Sequence, residues 1–385
     1  MIRRLPLVAL AAVLSLSVAS CSSSTAGSSN APDAGVSGKA QQALDAIKGQ
    51  VLSKGPNGET PSPASTADLT PDEIAKVKAL NAKAAIVMHY GGNDWATAQI
   101  NGLKSEFEKL GVKVIATTDA NFKPDKQVSD IETVMSQSPN IMVSIPTDPV
   151  ATASAYKKVA DAGTKLVFMD NIPQGLTAGK DYVSVVSADN YGNGVVSAHQ
   201  MAKALGGKGK IGVVFHQADF FVTKQRYQGF KDTITKEYPD IKIVEEKGIA
   251  GPDFAGDAQA AANAMLSKYA DLSGIWAVWD VPAEGVMAAA RAAGRADLKI
   301  ATEDLGKNVA IALAKDELVV GLGAQVPFDQ GVTEARLAAG ALIGKQAPAY
   351  VALSALPVDH SNVLDAWKQV YHEDAPKDIQ DSYKK

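Results

Sequence analysis

From Ala84 onward the chain alternates short β-branched runs with segments of helical period, and no other feature narrows its fold so far. Ala84-Ala85-Ile86-Val87-Met88 reads as a buried strand, since a continuous apolar run of that length suits a strand covered on both faces. Ile100, Leu103, Phe107 and Leu110 then recur on one helical face, and Gly111 follows as a C-terminal cap. Further strands are expected at 112–117, 141–145, 165–169 and 182–187, and a second series at 210–215, 241–246, 274–279, 298–303 and 318–324. Such alternation demands mostly parallel sheets with helices on both faces, a doubly wound α/β architecture. About ten strands exceed one comfortable open sheet, so two lobes are expected, with the break near Ala188-Asp189-Asn190.

Ahead of that body stands a segment of different chemistry. Arg3 and Arg4 precede an apolar run from Leu5 to Val18, too short for a permanent membrane span and of the kind a secretory signal uses. It closes on Val18-Ala19-Ser20 before Cys21, the only cysteine of 385 residues. An intramolecular disulfide is therefore excluded. The formal charge is −4, and losing Arg3 and Arg4 with the signal makes the remainder more acidic, which argues against a nucleic-acid or anionic-membrane binder. From Ser22 to about Gly38 small and polar residues give too little apolar surface to offset the entropy of folding, so this stretch reads as a flexible stalk. Residues 39–52 suit a short amphipathic helix through Ala43, Leu44, Ile47 and Val51; Gly55 to Ser65 returns to turn formers, and the folded body is expected to begin near Lys83.

In doubly wound sheets, ligands sit beyond the carboxyl ends of the strands. There this chain places Gly91-Gly92-Asn93-Asp94-Trp95, Pro146-Thr147-Asp148-Pro149, Asp170-Asn171, Trp279-Asp280, Glu303-Asp304 and Gln325. Carboxylates and amides can pair with vicinal hydroxyls, and flat rings can pack on the C–H face of a sugar. Taken one at a time, an Asp at a strand end equally suits a helix N-cap and a Trp equally suits a core.

The sequence resembles a periplasmic binding protein of the ribose- and galactose-binding class, the substrate receptor of a sugar ABC importer. The resemblance spans about Ala84 to Asp359. It rests on Asn93-Asp94-Trp95 before Asn101-Gly102, Asp170, Ala188-Asp189-Asn190-Tyr191-Gly192, Lys224-Gln225-Arg226-Tyr227-Gln228-Gly229-Phe230, Asp253-Phe254, Ala277-Val278-Trp279-Asp280, Asp304 and Ala324-Gln325-Val326-Pro327. The residues before Cys21 are similar to a bacterial lipobox, which implies cleavage ahead of Cys21, its lipidation, and a protein held on the outer face of the cell membrane.

What the resemblance implies is a type I fold of two lobes that close on a small neutral sugar or polyol, with no cofactor, metal or catalysis. Lobe I would comprise 83–188 with 326–352, and lobe II 189–325 with 353–385, joined by crossings near 189, 325 and 352; residues 1–20 would be the signal and 21–82 a tether and extension. Ligand contacts are expected from Asn93, Trp95, Asp170, Asn171, Lys224, Phe254, Trp279, Asp280, Asp304 and Gln325, while Asp189 and Arg226 would serve the hinge and architecture. Partners would be the importer's permease subunits, with the chain itself a monomer. Asn171 and Lys224 stand where ribose binders carry arginines and Trp279 where an asparagine is usual, which turns the expectation from ribose toward a guest with more C–H surface or a linear polyol.

Other readings meet obstacles. His89, His199, His216, His360 and His372 show no metal-ligand spacing, and no Gly-x-Ser-x-Gly elbow exists. His89 and His216 fall at strand ends and could donate to a ligand, although a structural role explains them as simply. Gly207-Lys208-Gly209-Lys210-Ile211-Gly212 matches a dinucleotide pattern, but its glycines lead from a helix into a strand, the reverse of the required order. A surface sensor would share the fold. A transcriptional regulator would need a DNA-binding helix pair where the signal and stalk stand, and a peptide or amino-acid guest would want an arginine the expected cleft lacks.

Overall fold

Among the described residues twelve strands form, because β-branched and apolar runs fall between helices that cover them. The computed structural model describes residues 34–384, so Cys21, the signal segment and most of the expected stalk lie outside the described residues. The strands are β1 (Lys83–Met88), β2 (Lys113–Asp119), β3 (Ile141–Ser144), β4 (Lys165–Met169), β5 (Ser184–Ala188), β6 (Gly209–His216), β7 (Ile241–Ile249), β8 (Leu272–Ala277), β9 (Lys299–Glu303), β10 (Val319–Ala324), β11 (Tyr350–Leu353) and β12 (Leu356–Val358). They build two six-stranded sheets in the orders β11-β5-β4-β3-β1-β2 and β12-β10-β9-β8-β6-β7. Every pairing is parallel save that of β10 with β12.

Side chains on a strand alternate between faces, so a strand buried on both must be apolar at every position. β1 shows this directly. Ala84, Ile86 and Met88 enter one cluster with Leu103, Phe107 and Val167, while Ala85 and Val87 enter another with Tyr156, Phe168 and Val185. The second sheet is covered likewise: Ile275 and Ala277 pack with Val286 and Leu313 on one face, Trp276 with Phe230 and Met201 on the other. The helix Asp94–Lys109 packs tightly on helix Pro327–Leu342, because Gly102 faces the backbone of Phe328 and Gly331 that of Gln99, where any Cβ would collide. That contact returns the chain to the first lobe after Gln325.

The chain passes between the sheets at Asp189, at Gln325-Val326 and at Ser354-Ala355. The segment before Lys83 adds a further passage, and its described residues, 34–82, fold onto the two sheets ahead of the expected start of the body near Lys83. Helix Ala34–Ile47, earlier than the expected 39–52, buries Ala40 and Leu44 and lies on helix Asn190–Leu205 of the second lobe, with the Ser37 hydroxyl donating to Lys203 O at 3.2 Å. The backbone N–H groups of Leu52 and Ser53 then donate to the two Asp189 carboxylate oxygens at 2.8 Å each, and the Ser53 hydroxyl adds a third bond at 2.7 Å. Ser62 N–H donates to Tyr350 O at 3.0 Å on the edge of the first sheet, and helix Pro71–Ala79, opened by a Thr70–Glu73 capping box, continues there. Residues 50–63 thus run as a strap across the hinge.

At the other end two helices, Val363–Tyr371 and Lys377–Ser382, close the chain's described part, with Trp367 and Val370 buried in the second lobe. Gly206 and Gly207 both take left-handed backbone between helix Asn190–Leu205 and β6, a helix-to-strand turn as the residue order demanded.

Candidate functional site

The carboxyl ends of β1, β3 and β4 face those of β6, β8 and β9 across a single cavity. Its volume is about 90 Å³. A single water needs roughly 10–15 Å³ on that measure, so several waters or one monosaccharide-sized molecule is the matching guest.

Each lobe contributes rings. His89, Tyr90, Trp95 and Phe122 come from the first, His216, Phe220, Phe254 and Trp279 from the second. They meet across the gap: His89 stacks on Phe220 with centroids 5.9 Å apart, and Phe122 meets Phe254 edge-on at 5.7 Å. Within the second lobe Phe254 and Trp279 stand edge-to-face at 5.0 Å, and His216 meets Trp279 at 5.5 Å. A further link is polar, Lys307 N–H donating to Asp94 at 2.8 Å.

The polar groups gather beneath the rings. Asp170 ends β4 and Asp304 ends β9, both on left-handed backbone with φ of 55° and 63°, a conformation that costs a non-glycine residue energy but that Asp tolerates better than most. Arg226, from helix Phe221–Glu237, grips Asp304 with both terminal nitrogens at 2.8 and 3.2 Å, while its Nε donates to Asn190 Oδ1 at 3.1 Å. Gln325 donates its amide to Asp304 at 2.9 Å. Ser187 donates its hydroxyl to Asp170 at 2.6 Å and accepts from Asn190 at 3.0 Å, so one network links the residues beside two hinge crossings.

Burial, opposed only partly by the Ser187 hydrogen bond and Arg226, raises the Asp170 carboxyl to about 6. Burial also holds His89 neutral, its value lowered to about 3, and lowers that of His216. For Arg226 burial works against the charge, yet the neighbouring carboxylates of Asp304, Glu303 and Asp170 outweigh it and keep the guanidinium ionised. Three cavity groups have buried polar atoms without a protein partner: His89 Nδ1, Trp95 Nε1 and Gln325 Oε1. Unpaired groups of this kind in a cavity wall are what a polar guest satisfies.

Of the residues expected from sequence, Asn93, Trp95, Asp170, Phe254, Trp279, Asp304 and Gln325 line this cavity together. Asn93 does double duty, since its Oδ1 caps helix Asp94–Lys109 by accepting from Ala96 N–H at 2.8 Å. Three expected residues are not in the lining. Lys224 lies two positions before Arg226, about 200° away around the helix, so it is exposed and pairs with Asp219 at 3.0 Å. Asn171 is turned aside by the left-handed Asp170, its N–H folding back on Met169 O at 2.5 Å. Asp280 is buried at the start of its own helix, with Oδ1 accepting from Val281 N–H; burial first, and Asp304 next, raise its carboxyl well above the usual range.

Arg226, assigned above to architecture, does line the cavity and holds Asp304 in place. Tyr90, Phe122 and Phe220 were missed altogether. They stand in loops with no periodic pattern, and only their closeness to strand ends signalled them.

The fold and the cavity together define a two-lobed binding protein of type I architecture. A family model described as periplasmic binding protein domain matches residues 84–346, and the chain belongs to that family. It is a family of solute-binding proteins rather than enzymes. The chain is similar to the D-ribose/D-allose-binding protein of Pseudomonas aeruginosa, 29% identical over 221 residues, which are 55% of this chain and 67% of that one. It is also similar to the ribose import binding protein RbsB of Salmonella typhimurium, 24% identical over 268 residues, 69% and 86% of the two chains. Among solved structures, an ABC sugar transporter subunit from Rhodobacter sphaeroides aligns with a TM-score of 0.64 at 28% identity over 73% of this chain and 99% of that one. An ABC transporter solute binding protein from Mycobacterium smegmatis, with bound glycerol, aligns at 0.66 and 25% identity over 73% and 95%. The strap and the helix before it lie ahead of the family match.

Proposed function

We propose that the protein captures a monosaccharide or linear polyol between its lobes and delivers it to the permease of an ABC importer, and that it acts as a monomer. The observation that carries this is the single cavity walled by rings from both lobes over a floor of Asp170, Asp304 and Arg226. Rings from opposite walls can cover both C–H faces of a sugar, while the Asp170 carboxylate and the unpaired atoms of Trp95 and Gln325 meet its hydroxyls. Contacts from both lobes are complete only when they are closed, so binding shifts the population toward the closed form that a permease can recognise. Lobe I is proposed as 83–188 with 326–352, and lobe II as 189–325 with 353–385.

The lipobox-like sequence supports cleavage before Cys21 and acylation there, which would hold the protein on the outer face of the cell membrane. Intact-mass spectrometry of membrane-extracted protein should show the diacylglyceryl adduct, absent from a Cys21→Ser variant; an unmodified wild-type mass would contradict the anchor.

Native mass spectrometry of the freshly purified protein, followed by calorimetry with the compound found and a panel of pentoses, hexoses and alditols, tests the ligand. One-to-one binding that weakens at least ~tenfold, or ~1.4 kcal/mol, in Trp95→Ala and Trp279→Ala is expected. Tightest binding of ribose would contradict the preference argued from Asn171, Lys224 and Trp279, and unchanged affinity in both variants would remove the two rings from the site.

A further inference from the structure

Two carboxylates of the cavity lining, Asp170 and Asp304, share one guanidinium, that of Arg226, so one negative charge is left over. Asp170, 2% exposed, receives the Ser187 hydroxyl, and no ion pair is formed with it among the described residues, since Arg226 is committed to Asp304. Gln325 has turned its NH₂ to Asp304, which leaves Oε1 open as an acceptor, and His89 Nδ1, a donor in one tautomer and an acceptor in the other, is unpaired. On the donor side Arg226 is spent on Asp304, Asn190 and Val278 O, and Lys224 lies on the outside. Trp95 Nε1 is an unspent buried donor and carries no charge.

A hydroxyl brings one donor and two lone pairs that also need partners, whereas an ammonium brings three donors and no acceptor. A buried carboxylate that shares its neighbouring cation with a second, directly paired carboxylate is only partly neutralised, so it favours either its own protonation or a cationic guest. The ring walls add to this preference, because a cation near the faces of Trp, Tyr or Phe within about 6 Å is attracted by their quadrupoles. Lys224 and Asn171 both lie outside the lining, so neither places positive charge against such a guest.

We propose that the guest of this cleft is a polyol or monosaccharide bearing a protonated amine, its ammonium set against Asp170 beneath the aromatic walls. The proposal rests on the reading of the cleft as a sugar-type site and names the class of sugar.

Calorimetry with matched pairs tests it: glucosamine with glucose, galactosamine with galactose, 1-amino-1-deoxyglucitol with glucitol, and 1-amino-1-deoxyribitol with ribitol, at pH 7.5 and fixed salt. In at least one pair the amine binds tenfold or more tightly than its neutral parent, and Asp170→Asn removes that preference. Neutral parents that bind as well as or better than every amine overturn the proposal while leaving the sugar-binding reading intact. No binding by any member of any pair overturns both. A preference for the amine that survives unchanged in a folded Asp170→Asn variant also overturns it, since the charge would then be met elsewhere.

Discussion

Asp170 and Asp304 occupy like positions in the two lobes. Each follows a parallel strand, each sits on left-handed backbone and each is buried, at 2% and 9% exposure. Their partners differ. Asp304 is held by a two-pronged Arg226 and by Gln325, whereas Asp170 has Ser187 and no paired cation. A carboxylate that is fully matched within the protein acts as structure, and one left short of donors is available to a guest. The same residue type at the same point of the fold therefore serves two ends, decided by what stands across from it.

The contrast can be broken most forcefully at Asp304. Asp304→Ala leaves the Arg226 guanidinium buried and unpaired, which should destabilise the protein by about 3–5 kcal/mol in chemical denaturation. The double variant Asp304→Leu with Arg226→Met should recover much of that loss; a double variant no more stable than Asp304→Ala would show that the pair does more than neutralise itself.

Asp189 is a third buried carboxylate, saturated by Leu52 N–H, Ser53 N–H, the Ser53 hydroxyl and Gly192 N–H. Asp189→Ala should cost about 3 kcal/mol by stranding those donors and removing a helix cap. Limited proteolysis should then cut between 48 and 63 faster than in wild type, and an unchanged cleavage rate would detach the strap from the hinge.

Asp170 should behave in the opposite sense. Its carboxyl titrates near 3.8 when unfolded and at about 6 when folded, because burial disfavours the charge. Between those values the native protein holds the extra proton, so this group's contribution to stability falls as pH rises from about 4 to 6 and is gone above that. A shift of this size is worth at most about 3 kcal/mol. Asp170→Asn should therefore raise the melting temperature of ligand-free protein at pH 7.5 and lose that advantage near pH 4.5. A variant less stable than wild type at both pH values would mean that Asp170 is already matched.

The smallest effect is expected at Lys224. Lys224→Ala removes a solvent-exposed pair with Asp219 and should change ligand affinity less than about twofold. A tenfold loss would return Lys224 to the site.

The parts of this molecule that were legible beforehand share a physical cause. β1, β3 and β5 are buried on both faces, so their apolar runs stand out against the helices between them. Strand ends then marked Asp170, Asp304, Trp279 and Gln325 without reference to any partner. Arg226 was not legible as a cavity residue, since its partner Asp304 lies 78 residues further on and only the folded chain brings them together. The strap escaped for another reason. It is ordered by backbone N–H groups bonding to Asp189 and to the edge of β11, and such bonds leave no hydrophobic pattern.

That the two lobes form a single binding site is best tested by hydrogen exchange on the wild-type protein, with and without a saturating amount of whichever sugar, polyol or amino-substituted relative calorimetry selects. Protection should increase together at 89–95 and 170–171 in the first lobe and at 216–226, 279–281 and 304–306 in the second. Protection confined to one lobe, or found on neither set of strand ends, would contradict a site shared between them.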